Sequence, residues 1–163
     1  MAVTAELVLT KTPTVETGML IRRPPETVFE AFVDPDVTTR FWFTRSTGRL
    51  APGATVEWHW DKYGVSTEVD VSEFEENRRV VFQWGPRESR TRVEMRFLPA
   101  GETGTYVQAR ESGLRGSGDE VVARALDSTG GFTMVLCAAK ALLEHDVVLT
   151  VVGDKAPPAG VTL

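Results

Sequence analysis

The stretch GGFTMVLCAAKALLEH at residues 130–145 decides the fold, because it is the one long amphipathic helix that the sequence predicts. Apolar residues recur in it every three or four positions, the period of a helix with one buried face. The predicted stripe consists of Phe132, Val135, Leu136, Ala139, Leu142 and Leu143. A single apolar stripe of this kind must pack against one apolar surface elsewhere in the chain.

That surface is predicted between Gly53 and Leu114, where the sequence follows the period of two that is typical of half-buried strands. Apolar residues alternate with polar ones in five runs, separated by short turns that contain Gly, Pro or Asn. The predicted inward set is Val56, Trp58, Trp60, Val69, Val71, Phe82, Trp84, Val93, Val107 and Ala109. These runs predict an antiparallel meander with one wet face and one face that the helix covers.

The residues before the meander predict a first strand at Val15–Arg22 and a short helix with the stripe Val28, Phe29 and Phe32. Asp34 and Pro35 end that helix and start another short one. The predicted fold is therefore α+β: a curved antiparallel sheet of six or seven strands wrapped around one long C-terminal helix, with two short helices after the first strand.

The chain is predicted to be a single domain over residues 1–163, since neither a linker nor an internal repeat is visible. Residues 1–13 fit either a short strand at Leu7–Leu9 or a loose arm. The Gly- and Pro-rich residues 153–163 predict a flexible tail.

The net charge, the cysteine count and the absence of a membrane-span pattern limit the partners and the compartment that the sequence predicts. A net charge of −5 over 163 residues repels phosphate backbones, which argues against nucleic acid as a partner. The single cysteine, Cys137, suits a reducing cytoplasm. The start, MAVTAELVLTKTP, lacks the pattern of a secretory signal, and no stretch approaches the ~20 apolar residues of a membrane span. We expect a cytoplasmic monomer or homodimer.

The order of these elements resembles the START-like superfamily, also called SRPBCC or Bet v 1-like. More narrowly, it is similar to bacterial proteins related to the activator of the heat shock protein 90 ATPase. The matching residues are IRRPPETVFEAF at 21–32, RRVVFQW at 78–84, ESGL at 111–114 and GGF at 130–132. One departure is Phe132, where the family usually has tryptophan. The resemblance implies a helix-grip fold with a cavity between sheet and helix, but no single reaction, since members include lipid carriers, polyketide cyclases and co-chaperone domains.

The aromatic residues at the ends of neighbouring strands admit two interpretations, a packed core or the wall of a pocket. Three indole N–H groups favour a wet or ligand-filled cavity, because each needs a partner when it is buried. The residues predicted to bind a ligand are Trp42, Trp58, Trp60, Val69, Val71, Phe82, Trp84, Val107, Ala109, Glu111, Phe132 and Leu136.

Glu111 is the one candidate for catalysis. Alternation from Val107 places it on the inner face, where an unpaired carboxylate is costly. It is either a polar anchor or general acid/base, or a rim residue in solvent beyond the end of the strand. The residues GLRGSGD that follow predict a mobile lid hinged at Gly113, Gly116 and Gly118.

Other candidates for chemistry are weaker. His59 should face outward, His145 lies near the end of the helix, and Cys137 points away from the sheet. Two histidines without clustered cysteines do not predict a metal site, and no cofactor motif is present. Alternation places Arg92, Arg96 and Arg110 on the solvent-exposed face together with Glu94. Opposite-charge cross-strand pairs are ordinary on such a face.

Three functions compete on this basis. Binding of a small hydrophobic or aromatic molecule in the cavity is favoured. A cyclase, aromatase or hydrolase using Glu111 with water, Tyr63 or Tyr106 ranks below binding, because Glu111 lacks an obvious partner. An interaction module that stimulates an Hsp90-type ATPase ranks lowest, because no companion domain is visible.

Overall fold

The computed structural model describes residues 5–163, and its helices and strands follow the predicted order. The elements are β1 (Val15–Ile21), α1 (Pro25–Val33), α2 (Pro35–Thr38), β2 (Arg45–Ser46), β3 (Thr55–Trp60), β4 (Val65–Glu75), β5 (Arg79–Trp84), β6 (Thr91–Ala100), β7 (Gly104–Ser112), α3 (Gly118–His145) and α4 (Val151–Asp154). Short 3-10 turns occupy Asp61–Tyr63 and Arg87–Ser89.

The strands form one antiparallel sheet in the order β1-β7-β6-β5-β4-β3-β2. Strands β2 to β7 are each paired with the next strand along the chain, and β1 returns to pair with β7. A register shift between Val71 and Glu73 marks a β-bulge in the longest strand, β4. Such a bulge bends and twists a strand, which helps the sheet to curve. The predicted helix-grip fold is confirmed.

Helix α3 begins at Gly118, twelve residues before the start that the periodicity predicts. Ser117 caps it: the Ser117 hydroxyl accepts from the backbone N–H of Glu120, and the Glu120 carboxylate accepts from the backbone N–H of Ser117. The predicted lid at residues 113–119 is corrected accordingly. Gly118 is helical, and what remains is a short loop in which Gly113 and Gly116 have positive φ.

The apolar stripe of α3 is buried as predicted except for Leu143, which is half-buried. Its buried residues are Val121, Phe132, Val135, Leu136, Ala138, Ala139 and Leu142. Within residues 5–163, α3 alone is long and apolar enough to span a membrane by length and composition. Its burial against the sheet is that of the core helix of a soluble fold. The Lys140 ammonium fastens it to the sheet by donating to the carbonyl of Leu20 over 2.7 Å.

The two ends of the chain behave differently. Residues 5–13 form no strand, and Leu7, Val8 and Leu9 are exposed; residues 1–4 of the predicted arm lie outside the described part. At the other end, α4 packs on the turn at Asp61–Tyr63, and the Tyr63 hydroxyl donates to the carbonyl of Val152 over 2.7 Å. The predicted tail therefore starts with contacts at Gly153 and becomes exposed and irregular after Lys155.

The outer face of the sheet carries a buried ion cluster as well as the expected surface pairs. Glu94 is only 5% exposed and contacts Arg79 at 2.6 Å and Arg96 at 3.1 Å. Val81 also lies on that face, cross-strand from Glu94, and is completely buried. Burial raises the pKa of Glu94, but the hydrogen bond from Arg79 and the charges of Arg79, Arg96 and Arg92 outweigh it, so the pKa is lowered.

We predict that Glu94→Gln destabilises the protein by about 1–3 kcal/mol at pH 7, because it removes the buried carboxylate that the half-buried Arg79 guanidinium contacts. A lowered pKa means that this contribution is fully present above the ordinary value of 4.5 and is lost as pH falls through the folded value. Urea unfolding at several pH values should show the wild type and the variant converging as the pH falls from 4.5 through the lower folded pKa of Glu94. Glu102→Gln, in an exposed turn, is the matched control and should change little. Equal effects of the two substitutions would contradict this account.

Candidate functional site

An aromatic cluster occupies the open end of the sheet. Trp58 and Trp60 come from β3, Trp84 from β5, Phe132 from α3, and Trp42 with Phe43 from the loop after α2. Trp58 stacks on Phe43 with ring centroids 4.4 Å apart, and Trp84 lies 5.7 Å from Phe132. The cluster therefore joins the sheet, the long helix and the loop at residues 39–44.

Some rings of this cluster are packed in the core, and others border a cleft. Trp58 is 1% exposed and surrounded by other rings, so it belongs to the core. Trp60 and Trp84 are only partly buried, and they border a cleft of about 490 Å³. Its aromatic and apolar wall is formed by Trp42, Trp60, Tyr63, Trp84, Phe132 and Val152. We call this space the aromatic cleft.

Besides Phe132, helix α3 lines the aromatic cleft with one face that includes the small residues Ser128 and Gly131. The residues concerned, at helical spacing on one face, are Asp127, Ser128, Gly131, Met134 and Val135. A Cβ atom built on Gly131 would meet no atom within 4 Å. The cleft exists because the helix at this level carries too little side-chain volume to fill the end of the sheet.

The residues predicted to bind a ligand fall into three groups. Trp42, Trp60, Trp84 and Phe132 line the aromatic cleft. The residues packed in the core, away from it, are Trp58, Val69, Val71, Phe82, Val107, Ala109 and Leu136. Glu111 borders a neighbouring space. The sequence prediction missed the wall formed by Met134, Val135 and Val152. The small residues Ser128 and Gly131, in line with Val135, were the available signal for the first two.

Glu111 is 2% exposed, on the inner face as alternation predicts and not in solvent at the rim. Its Oε2 accepts hydrogen bonds from the indole Nε1 of Trp84 over 2.8 Å and from the hydroxyl of Thr91 over 2.6 Å. Its Oε1 is buried and has no hydrogen-bond partner among the described residues. Oε2 thus has two hydrogen-bond donors, and Oε1 has none among the described residues.

A second cleft of about 550 Å³ borders Glu111, and we call it the Glu111 cleft. It shares Trp60, Trp84, Asp127 and Ser128 with the aromatic cleft, so the two spaces are neighbours across the indoles. Arg124 contributes a positive charge to its wall. The polar side chains of Glu111, Thr91 and Arg124 therefore lie beside the aromatic cleft at the same end of the sheet.

The proposed acid/base partners of Glu111 lie elsewhere. Tyr106 is five residues from Glu111 on the same strand, hence on the opposite, outer face, where its hydroxyl lies over Gly18. The Tyr63 hydroxyl is engaged by the carbonyl of Val152.

Other polar candidates are also away from the clefts. His59 contacts Glu57 at 2.7 Å on the outer face, and Cys137 is exposed. Within residues 5–163, no three His, Cys, Asp or Glu side chains converge as metal ligands would.

Comparison with known proteins gives this architecture its family. The family model described as "Activator of Hsp90 ATPase homolog 1-like protein" matches residues 22–144. A crystal structure of a Staphylococcus saprophyticus protein is 30% identical, covers 85% of this chain and 96% of its own, and superposes with a TM-score of 0.74. No curated protein matches this sequence.

Two more distant structures share the fold. The Aha1 dimer from Colwellia psychrerythraea, solved in solution, is 19% identical, with 82% and 97% of the two chains covered and a TM-score of 0.70. The crystal structure of DynU16, from the dynemicin biosynthetic locus, is 18% identical, with 83% of this chain and 48% of its own covered and a TM-score of 0.72. By sequence and by fold, the chain belongs to the family of activator of Hsp90 ATPase homolog 1-like proteins.

Proposed function

We propose that the protein binds a small hydrophobic, ring-containing molecule in the aromatic cleft. The observation that carries the proposal is the incomplete burial of Trp60 and Trp84 beside a cleft of about 490 Å³. Exposed indole faces next to a concave apolar space are what a small-molecule site requires, and the volume suits a ligand of two or three fused rings.

The C-terminal segment forms part of the proposed site. Val152 contacts the aromatic cleft from α4 and also lines a groove of about 350 Å³ between residues 148–153 and the loop at 39–44. Its position is fixed by the Tyr63 hydroxyl and by the ion pair of Lys155 with Asp127 at 3.3 Å. Val151 and Val152 also pack against the core, and Lys62 donates to the carbonyl of Gly153, so the segment is a held part of the cleft wall.

The proposed setting is the cytoplasm, since the only cysteine of the chain is free and exposed. Catalysis by Glu111 is a weaker candidate. Neither Tyr63 nor Tyr106 is placed to exchange a proton with it, so the geometry supports an anchor better than an acid/base pair.

The binding proposal predicts opposite results for two adjacent glycines of α3. Replacing either glycine by leucine should raise helix stability by about 0.5–1 kcal/mol, but only Gly131→Leu places the new side chain in the aromatic cleft. With 8-anilinonaphthalene-1-sulfonate as probe, we expect Gly131→Leu to weaken binding by about tenfold or more.

Gly130→Leu is the matched control. Its Cβ meets only the end of the Lys155 side chain, at 3.9 Å, so probe affinity should stay close to that of the wild type. Thermal unfolding of both variants shows that neither is damaged. Equal probe affinity for the two folded variants, or no saturable binding by the wild type, would refute the proposed site.

Membership of the family favours one alternative, stimulation of an Hsp90-type ATPase. A binding protein for small molecules should leave the ATP turnover of purified bacterial Hsp90 unchanged at stoichiometric and tenfold excess concentrations. A saturable rise in turnover that Gly131→Leu does not affect would instead assign the chain to the chaperone and separate that activity from the cleft.

A further inference from the structure

We infer that the ligand is an amphiphile whose ring system lies in the aromatic cleft and whose hydrogen-bond donor reaches Oε1 of Glu111. This inference rests on the proposed function and adds the chemical class of the ligand. It is carried by the burial of Glu111 and by the unequal state of its two carboxylate oxygens.

The unpartnered Oε1 of Glu111 costs the folded protein free energy. A buried carboxylate oxygen without a donor loses its hydration and receives nothing in return. The other oxygen has two donors, from Trp84 and Thr91, so the orphan state of Oε1 is not caused by a general lack of polar groups nearby. Without a ligand, Oε1 of Glu111 is therefore an unused hydrogen-bond acceptor among the described residues.

Trp84 connects the Glu111 carboxylate with the aromatic cleft. Trp84 borders both clefts with its ring and donates its Nε1–H to Glu111. A ring packed against Trp84 in the aromatic cleft therefore lies one indole away from the carboxylate. Since Glu111 and Thr91 both border the Glu111 cleft, a substituent that passes the edge of Trp84 enters their surroundings.

Oε1 of Glu111 favours a ligand group that donates a hydrogen bond over one that accepts. Trp84 and Thr91 both donate to Oε2, so the remaining oxygen is the one that accepts. A ligand hydroxyl supplies the missing donor, whereas an ether oxygen in the same place leaves Oε1 unpaired and adds repulsion between lone pairs. A neutral hydroxyl also avoids like-charge contact with Arg124 in the wall of the Glu111 cleft.

The test compares 2-naphthol with 2-methoxynaphthalene, which differ only in the donor, by displacement of 8-anilinonaphthalene-1-sulfonate. For the wild type we expect naphthol to bind about tenfold or more tightly than its methyl ether, the ratio typical of one hydrogen bond to a charged group. In Glu111→Gln the amide N–H₂ takes the place of Oε1 and cannot accept, so this ratio should fall to about one. Glu102→Gln, on an exposed turn, should keep the wild-type ratio.

The outcomes separate the two claims. If neither naphthalene displaces the probe, the proposed function fails together with this inference. If both bind and the wild type does not distinguish them, or if Glu111→Gln keeps the preference, the binding site stands and the role of Glu111 is refuted. Because the readout is a ratio within one folded sample, a general loss of stability in the variant does not imitate the expected result.

Discussion

The structure depends on the way one helix fills the concave face of one sheet. Along most of its buried length, α3 supplies aliphatic side chains such as Leu136 and Leu142, and the sheet closes tightly around them. At Ser128 and Gly131 the helix supplies little side-chain volume, and a Cβ atom on Gly131 would meet no atom within 4 Å. Aromatic residues from the strands take up part of this space, and what they leave is the aromatic cleft. The aromatic cleft thus lies beside the small, partly buried residues Ser128 and Gly131 of the helix.

Trp84 connects this apolar space with the polar interior of the sheet. Its ring borders the cleft, and its Nε1–H fixes the carboxylate of Glu111 across two strands, with Thr91 as the second donor. Since a partly buried indole needs both a packed ring and a satisfied N–H, the hydrogen bond also fixes the orientation of the ring. A ligand that packs on Trp84 would therefore find a preformed surface, and little ordering would be required of the protein.

Local patterns were sufficient to predict the fold, and they were insufficient for the site. The period of two placed Glu111 on the inner face by counting from Val107, because alternation is a property of the strand alone. The start of α3 was missed, although the Ser117 capping box was readable, because the apolar stripe is sparse before Phe132. Which indole is sealed and which is open depends on contacts from distant segments, such as Phe43 on Trp58, and alternation carries no information about them.

The most direct test is the side-chain N–H spectrum of the four tryptophans, recorded by ¹⁵N NMR during a titration with 2-naphthol. We expect the signals of Trp60 and Trp84 to shift in a saturable way, while that of Trp58, which is buried in the core, stays in place. Assignment by single Trp→Phe substitutions identifies each signal. If Trp58 shifts as far as Trp60 and Trp84, or if no indole responds at saturating naphthol, the end of the sheet is not an open site.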